Sequence, residues 1–306
     1  MSIVSVGLFL ATIHLAMPLL FAAYGGLISE RSGVMNIGLE GMMLFGAFVG
    51  VAVTWWTHST LLGLIAGVAV GAIVGWIHAV LSISARADQI ISATAINLGA
   101  LGLTSALIAP IWGAPGVSPS VSRIGPVAAP LLSHIPLIGR LIAGLNILDY
   151  VGFLLVPVMV YFLFRMPSGL RLRACGESPE AAASAGVNVI KTRYAAVIMS
   201  GALAALGGVY LSLSQVGLFQ RGMTGGRGFI ALAAMIFGKW RPVPIMLACV
   251  LLGFVDAFQF RAQAVGFPIP NELLIALPYI VALIALATFI GRATAPAAIG
   301  KPYAKE

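Results

Sequence analysis

Apolar runs recur along the whole chain, separated by short polar intervals. A helix needs about 20 apolar residues to cross the ~30 Å hydrocarbon core of a bilayer. By that measure the pattern predicts spans at Ile3–Ile28, Leu39–Trp56, Leu61–Ile83, Ile90–Trp112, Ile147–Phe164, Tyr194–Leu213, Phe229–Phe237, Pro242–Phe260 and Glu272–Ile290. The seventh run is too short to cross as a regular helix. It extends back through Gly225–Gly228, or it is broken or re-entrant, which is tolerated only beside protein or a water-filled cavity. The expected fold is an all-α polytopic transmembrane bundle of about nine segments, with residues 1–306 forming a single transmembrane domain.

Composition agrees. Of 306 residues, 60% are hydrophobic and 8% charged, against about 25% charged in soluble domains. The net charge of +8 does not require a nucleic-acid partner, because loop lysines and arginines that set membrane orientation produce the same excess. If the long loop 165–193 is cytoplasmic, 12 Lys and Arg fall inside and 5 outside. That asymmetry puts the N-terminus outside and the C-terminus in the cytoplasm. The first apolar run has no preceding Lys or Arg and no small-residue cleavage site, so it reads as a retained span. Cys175 lies in the charged loop and Cys249 in an apolar run, positions that argue against a disulfide between them.

The interval RMPSGLRLRACGESPEAAASAGVNVIKTR, Arg165 to Arg193, is the longest charged stretch between apolar runs. A short helix is written inside it. Ser178 is an N-cap, Pro179 suits the first helical position, and Glu180 complements the helix dipole. Ala181, Ala182 and Ala183 favour helix, and Gly186 can adopt the left-handed conformation that ends one. Such a capped helix between two spans is shaped to dock into another protein; the plainer alternative is a helical loop with no partner. The interval Gly113–Asn146, rich in Pro, Ser and Gly, would lie outside, with a short amphipathic helix at Pro136–Leu145. It is either a contact for an external partner or a passive connector.

Gly63, Gly67, Gly71 and Gly75 recur every fourth residue, a face that lets a neighbouring helix approach closely. SERSGVMNIGLEG, Ser29 to Gly41, sets Asn36 and Glu40 among glycines between two apolar runs; RGMTGGRG, Arg221 to Gly228, is a second glycine-rich break in the other half. Paired breaks of this kind point to a translocation pathway, while simple interhelical loops are the alternative. Asp256 lies well inside an apolar run, with Gln259 and Gln263 following at helical spacing, and Asn97 is a weaker intramembrane polar residue. Intramembrane ionisable groups mark function by default, though a structural hydrogen bond would also hold them. The pathway candidates are therefore Asn36, Glu40, Asn97 and Asp256.

The chain has no P-loop sequence, no His/Cys/carboxylate spacing for a metal, no nucleophile–base pair and no basic surface interleaved with aromatics. Enzymatic chemistry, a cofactor, a bound metal and nucleic acid are not expected of it.

The stretch GGLISERSGVMNIGLEGMMLFGAF resembles permease subunits of bacterial ABC importers in the ribose, branched-chain amino acid and nucleoside group. LRLRACGESPEAAASAGVNVIKTR resembles that family's cytoplasmic coupling segment, through Glu177, Ala181–Ala183 and Ala185-Gly186-Val187-Asn188. TGGRGFIALAAMIFGKWRP matches its glycine break, short apolar helix and basic turn. The form of Glu30–Gly41 is similar to nucleoside-type permeases, and the motif of ribose permeases is missing, as is one leading helix. The resemblance implies a bacterial inner-membrane permease, most similar to nucleoside importers, with sugars or other small solutes as the alternative. It implies four partners: a separate ABC ATPase, a second related permease chain as heterodimer partner, an external solute-binding protein and the solute itself. Residues Glu177, Ser178, Pro179, Glu180, Ala181, Ala182, Ala183 and Gly186 would then couple to the ATPase. Two rival classes stay open: a secondary transporter coupled to ions through Asp256 or Glu40, and an assembly subunit without a pathway.

Overall fold

The computed structural model describes residues 6–127, 143–266, 268–289 and 294–304. The helices run α1 (Val6–Arg31), α2 (Leu39–Thr57), α3 (Thr60–Ala79, continued as a π-helix to Ser84), α4 (Gln89–Trp112) and α5 (Ile147–Arg165). Then follow α6 (Pro167–Glu177), α7 (Pro179–Ser184), α8 (Val189–Val209, continued as a π-helix to Val216), α9 (Arg227–Phe237), α10 (Pro242–Val265) and α11 (Asn271–Phe289). No strand is formed among the described residues, only two isolated bridges. Seven helices are long and apolar enough to cross a membrane: α1, α2, α3, α4, α5, α8 and α10. This is a multi-pass membrane fold.

The helix ends follow the sequence. Asp88 accepts from the N–H groups of Ile90 and Ile91, Asn188 from Lys191, and Asn146 and Asp149 form a reciprocal capping box at the start of α5. The seventh apolar run extends back only to Arg227, part of the way through Gly225–Gly228. It begins at Arg227 and is 11 residues long, about 16 Å, or half of a membrane core. The expected break Ser29–Gly41 is narrower than its glycines suggest. It closes at Gly38, and Gly41 already lies in α2, where an added Cβ would stand 2.8 Å from the Ile96 carbonyl oxygen.

α1 is the axis. Every residue from Ala16 to Glu30 is buried, as expected of a helix apolar on all sides. It packs on α8 and α10, while α2, α3 and α8 pack on one another. The glycine face of α3 is what permits that second contact. Gly63 and Gly67 lie against Gly50 and Gly46 of α2, and Gly71 and Gly75 lie against Gly201 of α8. Side-chain-free surfaces meet there, so the backbones approach to a distance no Cβ would allow.

The described part of the long interval after α4 is not a free loop. Ser118 and Val121 donate backbone N–H groups to the carbonyls of Phe219 and Gly217, and Arg221 donates to Gly116. The helix expected at Pro136–Leu145 falls mostly on 136–142, outside the described residues.

Candidate functional site

The first break, residues 32–38, is a buried turn held by polar bonds from α3, α4, α8 and the C-terminal stretch. Gly33 has φ +92°, a conformation open to glycine and strained for other residues. The Asn36 amide is fully buried. Its nitrogen donates to Ser200 Oγ at 2.8 Å, and its oxygen accepts from the Gly38 N–H at 3.0 Å. Asn97 of α4 accepts from the Gly41 N–H at 2.8 Å and donates to the Ile37 carbonyl at 3.1 Å. His78 of α3 is 3.0 Å from the Met35 carbonyl and 2.9 Å from Ser92, and Gln89 accepts from the Met35 N–H at 2.7 Å. Two of the four expected pathway residues, Asn36 and Asn97, thus satisfy the backbone of this turn.

Glu40 joins the two glycine breaks. Its carboxylate oxygens accept from the Gly226 N–H at 2.8 Å and the Gly228 N–H at 2.7 Å. These groups belong to the start of α9, where helix N–H groups have no partner of their own and negative charge is favoured. The two breaks, distant in sequence, are therefore one structure. Beside it lies a polar cavity of about 290 Å³, with Gln215, Gln220, Arg221 and Arg227 in its wall. Asp256 is half-buried on α10, close enough for Arg227 to act on its charge. Its neighbour on the same face, Gln259, is buried.

The segment after α5 folds as written. α7 (Pro179–Ser184) is six residues long, with Ser178 Oγ accepting from the Ala181 N–H at 3.4 Å and Gly186 at φ +82°. Pro179 and Ala182 are buried, and Glu177, Ser178, Glu180, Ala181 and Gly186 are exposed, with Ala183 between. This gives α7 an inner edge fixed to the bundle and an outer edge open to contact.

Arg193 ties this segment to the first break. It is 2% exposed, and its guanidinium donates to the carbonyls of Ser32 at 3.0 Å, Lys301 at 3.1 Å and Cys175 at 3.3 Å. No carboxylate lies within ion-pair distance of it among the described residues. The C-terminal stretch adds two clamps: Ala298 donates to the Gly176 carbonyl at 2.9 Å, and Gly300 to the Gly33 carbonyl at 3.1 Å. Cys175 and Cys249 are both free and buried, and burial pushes the Cys175 thiol above its ordinary range.

A fourth junction closes the end of α1. Glu30 accepts from Trp240 Nε1 at 2.6 Å, and Arg31 donates twice to the Trp240 carbonyl, at 3.0 and 2.7 Å. Lys239 and Trp240 both hold φ near +52° without being glycines, a strained turn that these bonds stabilise. Arg193 escaped the sequence reading because it counted only among the orientation-setting cations of the loop, and Trp240 only as part of a basic turn. Ser200 and Gln89 carried no signal. Among the described residues no group of three His, Cys, Asp or Glu is placed to hold a metal.

A family model described as branched-chain amino acid transport system / permease component matches residues 8–293. The guanosine ABC transporter permease protein NupQ of Bacillus subtilis is 40% identical over 305 residues, 96% of this chain and 95% of that one. The nucleoside ABC transporter permease protein NupC of Lactococcus lactis is 39% identical, over 94% of this chain and 93% of its own. TsgC13 of Haloferax volcanii, provisionally named a glucose ABC transporter permease protein, is 41% identical over 87% of this chain and 80% of its own. No solved structure is a significant match. The chain belongs to the family of branched-chain amino acid transport system permease components.

Proposed function

We propose that this chain is the membrane permease of an ABC importer whose solute is a nucleoside. Two relatives named for guanosine and nucleoside transport, each alike over nearly the full length, support the substrate class. The polar cavity beside the second break fits it. Amides of Gln215 and Gln220 and guanidiniums of Arg221 and Arg227 supply the donors and acceptors that ribose hydroxyls and base edges require. Asn36, Glu40 and Asn97 shape the break next to that cavity, and Asp256 faces the same region.

The observation that carries the mechanism is the Arg193 latch between the α6–α7 segment and the first break. An ATPase docked on Glu177, Ser178, Pro179, Glu180 and Ala181–Ala183, with Gly186 ending the helix, would move α6 and α7. The latch would carry that movement to residues 32–38 and, through Glu40, to α9. The reading takes nine membrane segments, the seven long helices with α11 and the half-length α9, and an outside N-terminus and a cytoplasmic C-terminus in a bacterial inner membrane; the excess of Lys and Arg in the loops assigned to the inside supports that orientation. The working assembly pairs this chain with a second permease, a separate ATPase and an external binding protein; ATP is hydrolysed outside this chain.

Two measurements test the reading. Gentle affinity purification should bring down an ABC ATPase and a second permease; a chain that purifies alone and transports in a protonophore-sensitive way is an ion-coupled carrier instead. Uptake of labelled guanosine should then be competed by other nucleosides and not by glucose. The likeness to TsgC13 favours a sugar as the second reading, and competition by glucose alone would establish it.

A further inference from the structure

We infer that this chain carries a binding site for an anionic glycerophospholipid in the groove between α5 and α8. α5 packs on α1, α6 and α10 and leaves a gap beside α8, floored by Ile28 of α1. The gap is an apolar slot of about 540 Å³, walled by Leu155, Val158 and Phe162 on one side and Met199 and Leu203 on the other. Pro157 also lines it; a proline inside a helix removes a backbone bond and bends the axis.

The slot does not end in hydrocarbon. Ile28, Phe162 and Met199 also line a second cavity of about 370 Å³, which continues it toward the α6–α7 end of the bundle. Its wall is still mainly apolar, with Leu172, Ala195 and Ala196, but Ser168, Arg171, Lys191 and Thr192 join it there. Arg171 and Lys191 are exposed, and neither side chain has a carboxylate partner among the described residues. From Lys191 to Leu203 α8 rises about 18 Å, close to the ~15 Å depth of one leaflet of a ~30 Å core. An acyl chain fits the slot, and a phosphate at the membrane surface falls between two cations, with Ser168 beside them. With Arg171 and Lys191 the phosphate of an anionic lipid leaves a net charge of +1, whereas a zwitterionic lipid brings its own ammonium and leaves +2. A helix of a second permease would fill the slot and leave both cations unanswered, so charge complementarity selects the lipid.

The test uses the intact complex, purified in mild detergent and reconstituted in nanodiscs of phosphatidylcholine with a minor share of phosphatidylglycerol. Native mass spectrometry then reads the lipids retained. The wild type should enrich phosphatidylglycerol over its bulk share, and R171Q/K191Q should reduce that enrichment at least about tenfold, since each basic residue near a charged headgroup is worth roughly a fivefold factor. Removing two exposed cations elsewhere, in R86Q/R241Q, should leave it unchanged. Met199→Trp, which blocks the slot, should lower retention of both lipids. Retention of the two lipids in their bulk ratio overturns the assignment. So does efficient cross-linking of a cysteine at Val158 to a second permease chain, which would make the groove a subunit interface.

Discussion

Replacing Gly71 and Gly102 by alanine should change stability in opposite directions, although the two changes are chemically identical and both fall inside helices. At Gly71 of α3 a Cβ would run into the Cβ of Ala205 and the carbonyl oxygen of Gly201 on α8, with the Gly201 carbonyl carbon at 3.1 Å. Carbon contacts are optimal at about 3.5–4.0 Å, so the helices must part by roughly 1 Å. The loosening spreads, because Gly67 and Gly75 of α3 sit equally close to Val209 and Val197. Overpacking of this kind costs about 1–3 kcal/mol. Gly102 of α4 has nothing within 4 Å of its missing Cβ, so alanine there keeps its helix-propensity gain of up to about 1 kcal/mol. The two variants should differ by about 2–3 kcal/mol. At roughly 2–4 °C per kcal/mol for chains near this size, their unfolding midpoints should separate by about 4–12 °C. Size-exclusion after heating, followed by tryptophan fluorescence, reads that directly. A G71A chain as stable as G102A would refute the claim that close helix approach is what this glycine face provides.

Glu40→Gln puts an amide N–H against a backbone N–H of α9 and should cost about 1–3 kcal/mol, with loss of uptake; melting and solute uptake by the reconstituted complex check both. Arg193→Met removes three charge-assisted bonds worth about 1.5–3 kcal/mol each but also the several-kcal/mol cost of burying a cation without a counter-ion. Stability should therefore move little, while solute-stimulated ATP hydrolysis by the assembled complex falls and alkylation of Cys175, slow in the wild type, speeds up. Trp240→Phe deprives the buried Glu30 carboxylate of its donor and should lower stability by about 1.5–3 kcal/mol, measured in the same heating assay.

Helix positions were legible in the sequence because membrane helices must satisfy their own backbone, and that demand writes itself as long apolar runs. Seven of the predicted runs reappear as long helices within a few residues. The cap at Ser178 and the stop at Gly186 were legible because they are local. Partner choice was not. Nothing near Glu40 in sequence announces that its acceptors serve Gly226 and Gly228, because the pairing follows from how α9 is laid against α2. The same holds for Asn36 and Asn97: composition marks them as costly polar groups in an apolar setting, but only the fold tells that they hold a turn. Arg193 was miscounted for a physical reason. A cation near a helix end can remain in the aqueous phase or turn inward to carbonyls, and sequence spacing is the same in either case.

What Arg193 and Arg31 bond to bears on how motion can travel. Arg193 and Arg31 both donate to carbonyls on other segments: Ser32, Cys175 and Lys301 for the first, Trp240 for the second. Carbonyls are part of the backbone, so these contacts fix chain to chain with no second side chain to yield between them. The three bonds of Arg193 also share one rigid guanidinium plane. A displacement of α6 acts directly on the Cys175 bond and, through the rigid plane, on the bonds to Ser32 and Lys301. A lysine at the same place would keep the charge and lose the planar fork, so Arg193→Lys separates the two contributions. If coupling survives in the lysine variant, the buried charge suffices; if it fails as it does in Arg193→Met, the shared plane is what transmits.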